Sequence, residues 1–85
     1  MKAPKLVYIE WDDSHSSDKW QSIVEAKLNM SEMMHCKTVG YQITRTREFI
    51  VVANTIAWEE DIPIVCGVFH IPMRSVKLIK ELKDG

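Results

Sequence analysis

The chain has 85 residues, 46% of them hydrophobic, which is enough for one small core and too few for two. Its formal net charge at pH 7 is -1, which excludes a general affinity for nucleic acid based on bulk charge, so any anion-binding site has to be local. Three tryptophans and five methionines are many for this length, and they predict that some apolar surface is buried between subunits.

The first predicted element is a strand over residues 6–11, LVYIEW. The stretch is rich in β-branched and aromatic residues, and Val7, Ile9 and Trp11 alternate with the remaining side chains. Because successive side chains of a strand point to opposite faces, these three share one face of the predicted sheet.

A helix is predicted next, over residues 17–28. The preceding stretch DDSHSSD combines turn formers with helix caps, and Ser16 or Ser17 is available to cap the helix. Apolar residues then recur at spacings of three and four, which is the helical period. These residues are Trp20, Ile23, Val24 and Leu28. Asn29 marks the predicted end of the helix, and residues 30–35, MSEMMH, are predicted to form a connection.

From Cys36 the spacing of apolar residues becomes two, which is the period of a strand. Val39, Tyr41 and Ile43 share one face of this stretch, and the alternation predicts a half-buried antiparallel strand. Gly40 permits a sharp bend in it. The polar residues 44–48, TRTRE, predict a hairpin turn.

Two further strands follow this turn. Residues 49–57, FIVVANTIA, are apolar on both faces in their first half and predict a central strand. An acidic loop over residues 59–61 comes next. Residues 62–71 predict the fourth strand, which Pro72 ends because proline cannot donate a hydrogen bond to the ladder.

The fifth predicted strand covers residues 76–82, with Val76, Leu78 and Leu82 on one face. The complete order is therefore β-α-β-β-β-β, with short turns between four successive strands. This order predicts a single domain over residues 1–85 that is mainly β with one helix, folded as a small, strongly bent five-stranded barrel.

Residues that could carry catalysis are sparse. His15, His35 and His70 form no i, i+4 helical pair and no cluster with cysteine, so no metal site is predicted. His35 and Cys36 are neighbours, but consecutive strand side chains point to opposite faces, which disfavours a nucleophile and base pair. The sequence contains no glycine-rich phosphate loop. We therefore expect neither enzymatic activity nor a cofactor.

Isolated cysteines and turn carboxylates have ordinary structural explanations. Cys36 and Cys66 lie far apart and are predicted to be reduced, buried and free of metal. Asp12, Asp13 and the acidic loop fall in predicted turns and are expected to be solvated. No secretory signal and no run of about 18 apolar residues is visible, so we expect a cytoplasmic chain that does not enter a membrane.

Two stretches of the chain resemble the two motifs of the Sm proteins. Residues 39–54, VGYQITRTREFIVVAN, are similar to the first Sm motif, in which a bent strand containing a glycine leads into an apolar strand that ends near an asparagine; Gly40 and Asn54 match. Residues 67–79, GVFHIPMRSVKLI, are similar to the second motif, in which a strand leads through a tight turn into a final apolar strand. The whole chain also resembles small phage-encoded (cyanophage-type) proteins of unknown function.

The resemblance implies a bent Sm-like barrel, cyclic rings formed by strand pairing between subunits, and binding of single-stranded RNA around the pore of the ring. An Arg-Gly pair is common at the turn of the second Sm motif, and Pro72 and Met73 stand here, with Arg74 one residue later. His70 occupies a place comparable to a histidine of the bacterial Sm protein Hfq. The helix follows the first predicted strand here, whereas the Sm pattern places it before.

We therefore predict a non-enzymatic, cyclic homo-oligomer that binds RNA or single-stranded DNA and acts in nucleic-acid processing. Basic residues repeated around a ring would concentrate positive charge that the net charge of one chain hides. The candidate binding residues are His70, Arg74, Arg45, Arg47 and Lys77. Their alternative role is that of ordinary turn and edge-strand charges, which discourage aggregation.

The fourth and fifth strands are the expected exposed edges of a monomer. We expect residues 64–71 of one chain to pair with residues 76–82 of the next. The candidate interface residues are Ile64, Cys66, Val68, Val76 and Leu78. The competing function is a protein-interaction module that docks on a host or phage protein through Trp58 and the acidic loop.

Overall fold

The computed structural model describes residues 3–14, 20–29 and 33–83. Within these ranges the element order is β-α-β-β-β-β, as the sequence predicts, and a single turn of 3₁₀ helix over Met73–Ser75 links the last two strands. The elements are β1 (Leu6–Ser14), α1 (Ile23–Asn29), β2 (Met33–Arg45), β3 (Phe49–Glu59), β4 (Ile62–Pro72) and β5 (Val76–Leu82).

All five strands belong to one antiparallel sheet in the order β4-β3-β2-β1-β5. The prediction of a mainly β fold with one helix is confirmed, and so is the prediction that β4 and β5 are the edges of the sheet. These two edge strands do not pair with each other, so the described chain does not close the sheet into a barrel.

The hydrophobic core lies on one face of this sheet. Val7 and Ile9 of β1 pack with Ile50 and Val52 of β3 and with Ile71 of β4, and all five are buried. Because β2 separates β1 from β3 in the sheet, these side chains meet only if the sheet curls around them. Burial of one such aliphatic side chain contributes about 1.5–3 kcal/mol, so this cluster supplies much of the stability.

β1 is longer than predicted. It continues past Trp11 to Ser14, and Asp12 and Asp13 pair with β2 in place of forming the predicted turn. Its pairing with β5 shifts register between Glu10 and Trp11. The extra residue is Lys77 of β5, which has no partner in β1. Such a bulge reverses the faces of the β5 side chains on its two sides.

The bulge explains which residues of β5 face the core. Val76 and Ile79 both pack against the buried cluster, although they are three positions apart and a regular strand would place them on opposite faces. Leu78, predicted to share a face with Val76, is 36% exposed. The prediction that Val76, Leu78 and Leu82 face together is therefore wrong for Val76: Leu78 and Leu82 pair with Glu10 and Leu6 on the outer face, and the irregularity between Leu78 and Val76 turns Val76 toward the core.

β2 begins at Met33, three residues before the predicted Cys36. The face that it turns toward the core is the one that carries Thr38 and Gly40, not the more apolar face that the alternation favours. Val39 and Ile43 are 54% and 42% exposed, whereas Gly40 is buried. Thr38 accepts a hydrogen bond from the indole Nε1 of Trp11, 2.9 Å away. Small and hydrogen-bonded side chains thus occupy the inner face, which lets β3 approach β2 closely.

The helix begins later than predicted. The Ser22 hydroxyl accepts a hydrogen bond from the Glu25 N–H at 3.1 Å, so Ser22 caps α1; the predicted caps Ser16 and Ser17 lie outside the described residues. Ser22 followed by Glu25 is the capping-box spacing. The apolar residues assigned to the helix are all exposed: Trp20, Ile23, Val24 and Leu28.

β3 and β4 extend beyond the rest of the sheet as a two-stranded hairpin arm (residues 54–66). β3 pairs with β2 only up to Ala53, but its pairing with β4 continues to Glu59 and Ile62. Glu60 and Asp61 connect the two strands with φ angles of 47° and 68°, in the left-handed region. The chain measures 56 × 23 × 23 Å along its principal axes.

Candidate nucleic-acid interface at the β4–β5 corner

The corner between β4 and β5 is tied to the turn between β2 and β3. Pro72 is extended, with φ -62° and ψ 130°, and precedes the 3₁₀ turn. The N–H of Met73 then donates a hydrogen bond to the carbonyl of Glu48 at 2.8 Å. The predicted proline stop is confirmed, and the hydrogen bond holds two turns that are distant in sequence side by side.

The turn between β2 and β3 is itself braced by Thr46. Its hydroxyl accepts hydrogen bonds from the N–H groups of Glu48 at 3.2 Å and Phe49 at 3.1 Å. Its own N–H donates to the Phe49 carbonyl at 2.8 Å. Threonine commonly stabilises turns in this way, and the result fixes the backbone that carries Arg47.

The two turns enclose a cavity of about 380 Å³. Arg47 and Glu48 from one turn and Pro72 and Arg74 from the other line it, and Phe49 completes the lining. Two guanidinium groups and one carboxylate leave the cavity with a net positive charge. Arg47 and Arg74, 27 positions apart in the sequence, are thus brought together by the fold.

An exposed aromatic ring accompanies the two arginines. The side chain of Phe49 is 40% exposed, and the imidazole of His70 packs edge-on against it with 6.0 Å between ring centroids and an interplanar angle of 85°. His70 therefore supports the site through Phe49. Sequence reasoning missed Phe49 as a site residue because it opens an apolar strand. The signal that could have identified it is the aromatic residue that closely follows two arginines in RTREF.

Lys77 and Arg45 are placed differently. The Lys77 ammonium lies 3.0 Å from a carboxylate oxygen of Asp12, which offsets its charge. Lys77 and Arg74 line a second cavity of about 430 Å³, next to the first. Arg45 lies opposite Ile50 at the end of β2 and does not line either cavity.

Asp12 is an organised carboxylate, so the expectation that it is simply solvated is wrong. Its side chain is 16% exposed and accepts hydrogen bonds from the Nδ1–H of His35 at 2.5 Å and from Lys77 at 3.0 Å. The bonds from His35 and Lys77 lower the pKa of Asp12 from its ordinary value, against the smaller opposing effect of burial. The three residues link β2, β1 and β5 across the sheet.

We expect this triad to make stability depend on pH in the acid range. Because the folded pKa of Asp12 is depressed, its contribution is present at neutral pH and is lost as the pH falls through the folded pKa, below 3.8. Asp12→Asn should therefore lower the urea midpoint at pH 7, and the difference from wild type should shrink on acidification.

Asp13→Asn is the matched control for this experiment. Asp13 is exposed and, among the residues that the structure describes, it makes no ion pair. In Asp13→Asn, the difference between the urea midpoints at neutral and at acid pH should be the same as in wild type. Equal pH profiles for wild type and Asp12→Asn would show that the triad does not stabilise the fold.

The candidate interface residues lie on the two edges of the sheet. Ile64 and Val68 on β4 are 46% and 48% exposed, and Leu78 on β5 is 36% exposed. Cys66 is a free thiol and is exposed, so the prediction that it is buried is wrong. Val76 packs against the core and is only partly accessible. Apolar side chains thus accompany the outer backbone of both edge strands, which no described strand pairs with.

Neither a metal cluster nor a membrane-spanning helix occurs in the described ranges. No group of three His, Cys, Asp or Glu side chains there is arranged to hold a metal ion. No helix there combines the length and apolar character that crossing a bilayer requires. Comparison with family models, curated proteins and solved structures finds no match to this chain.

Proposed function

We propose that this chain is a non-enzymatic, Sm-like protein that assembles into a cyclic homo-oligomer and binds single-stranded RNA or DNA at the β4–β5 corner. The observation that supports it best is the meeting of Arg47 and Arg74 around one cavity beside the exposed ring of Phe49. Phage origin and a role in nucleic-acid processing belong to the same proposal and rest on the sequence resemblance.

The chemistry of the corner suits a single strand. A guanidinium group can bind a phosphate through two parallel hydrogen bonds, and Arg47 and Arg74 supply two such groups. The face of Phe49 offers a surface on which a base can stack, and stacking is open to any base of a single strand. Bases of a duplex are paired and cannot reach the ring in this way.

The ring would form by edge pairing. β4 and β5 are the edges of the sheet, and an antiparallel pairing of β4 with β5 of the next copy would satisfy both. β4 ends and β5 begins at the corner, so this pairing places neighbouring corners side by side. Repetition of Arg47 and Arg74 around the ring raises the local positive potential well above that of one chain.

Two measurements test the proposal. Multi-angle light scattering at micromolar concentration should show a closed oligomer. Fluorescence anisotropy with labelled oligouridine and oligothymidine should show binding, and the logarithm of the association constant should fall linearly with the logarithm of the salt concentration. A duplex of equal length should bind more weakly. A stable monomer would contradict the ring, and an absence of binding at low salt would contradict the nucleic-acid function.

A second candidate function is docking on another protein through the hairpin arm. Trp58 is 49% exposed and lies beside the three carboxylates of Glu59, Glu60 and Asp61. An exposed tryptophan is a common anchor of protein interfaces. A complex of this kind would depend much less on salt than a complex with nucleic acid, which separates the two functions.

A further inference from the structure

We propose that the tip of the hairpin arm, residues 58–62, docks into a cleft of the next copy in the ring. The cleft lies between the start of β1 and the end of β5, whereas the β4–β5 corner lies at the start of β5. The inference rests on the proposed edge pairing between copies, and it identifies a second contact that edge pairing alone does not require.

The tip combines exposed apolar side chains with exposed acidic ones. Trp58 is 49% exposed and Ile62 is 61% exposed. Glu59, Glu60 and Asp61 are also exposed, and none of them makes an ion pair within the described residues. Beyond Ala53 the arm has only two strands, and an isolated two-stranded hairpin is marginally stable in water. A partner surface is therefore expected to cover it.

The cleft has the complementary composition. It is an open cleft of about 690 Å³, and its apolar lining includes Leu6 and Leu82, which lie opposite each other in neighbouring strands. Lys5 and Lys83 add two positive charges, and Glu81 adds one negative charge. The cleft is thus apolar with a positive rim, whereas the tip is apolar with three carboxylates.

Strand direction brings the two surfaces together. In an antiparallel pairing that places Ile71 opposite Val76 of the next copy, Val65 falls opposite Leu82, because both positions are six residues away. The residues of β4 nearer the tip then pass Leu82 and Lys83, the edge of the cleft. The same pairing that clusters the corners at one end of the subunits places each acidic tip beside its neighbour's lysines at the other end.

Charge reversal tests the contact. Glu59→Lys/Glu60→Lys in the tip and Lys5→Glu/Lys83→Glu in the cleft should each raise the dissociation constant of the oligomer about tenfold, as expected for a few exposed ion pairs. A chain that carries all four substitutions should regain most of the wild-type association. Lys27→Glu, a charge reversal on the exposed helix, should have no effect. Analytical ultracentrifugation measures all of these.

A second variant guards against an effect of misfolding. Glu60→Asn/Asp61→Gly removes two carboxylates and introduces residues that favour the positive φ angles found there, so it should stabilise the hairpin and still weaken association. If wild type assembles but neither reversal weakens it, the docking proposal is wrong and the edge-paired ring stands. A monomeric wild type would overturn both.

Discussion

Arg74→Ala is expected to lower the affinity of the assembled protein for single-stranded RNA or DNA at least about tenfold, since a hydrogen bond to a charged group contributes about 1.5–3 kcal/mol. The slope of log affinity against log salt should also become shallower, because fewer phosphates are neutralised. Arg74 is exposed in the turn after Pro72, so folding should be nearly unchanged. Anisotropy titrations at two salt concentrations measure both effects.

Arg45→Ala is the matched control. It removes the same charge two residues from Arg47, but Arg45 does not line the cavity that holds Arg47 and Arg74. The loss of affinity should be clearly smaller than for Arg74→Ala. Arg74→Lys should recover only part of the loss, because an ammonium group keeps the charge but lacks the planar fork that grips a phosphate.

Equal losses for Arg45→Ala and Arg74→Ala would show that binding depends on charge in general and not on the cavity. Unchanged binding for Arg74→Ala would show that the corner is only a turn, and docking through Trp58 would become the favoured function. Phe49→Leu adds an independent measure, since it keeps an apolar side chain but removes the aromatic face on which a base can stack.

Local signals were enough to locate most strands. Pro72 ends β4, and β5 covers residues 76–82 as predicted, because a proline stop and a period of two are properties of a short stretch. The extension of β1 to Ser14 could not be predicted in the same way. Asp12 and Asp13 are turn formers by composition, and they join the sheet because β2 supplies partners for them.

Which face a strand buries depended on contacts between distant residues. Alternation in β2 favours burial of Val39 and Ile43, but β3 packs closely against Gly40 and turns those two outward. The period of two also breaks at irregularities in pairing, which occur between Gln42 and Thr44 and between Glu10 and Trp11. Such a bulge leaves no signature in a single sequence.

The candidate site was predictable in part. A proline followed by an arginine indicated an exposed cation at a turn, and Arg74 is exposed there. That Arg47 lies beside it follows from the hydrogen bond between Met73 and Glu48, which only the fold reveals. The pairing of Lys77 with Asp12 likewise joins two strands, and it assigns to this lysine a structural role that its position in the sequence does not show.

Gly40→Ala is expected to destabilise the fold by about 1–3 kcal/mol, and Gly40→Val by more, because both overpack a buried position. A Cβ atom at residue 40 would lie 2.9 Å from the carbonyl oxygen of Ala53 and 3.3 Å from the Cβ of Val52. Both atoms remain when a side chain is shortened to alanine, because alanine keeps the Cβ and the backbone carbonyl. Adding Val52→Ala should therefore not restore the urea midpoint of Gly40→Ala.

Gly67→Ala is the informative comparison for Gly40, because its cost has a different origin. Gly67 has a φ of 69°, and the atoms nearest to a Cβ there would be those of the side-chain amide of the exposed Asn54, which it would overlap. Adding Asn54→Ala should therefore recover the steric part of the loss and leave the backbone strain, which is about 1–2 kcal/mol. Two results would contradict the explanation for Gly40: a urea midpoint of Gly40→Ala equal to that of wild type, or full recovery of that midpoint when Val52→Ala is added. Either would show that the close approach of β3 to β2 does not restrict the size of the side chain at residue 40.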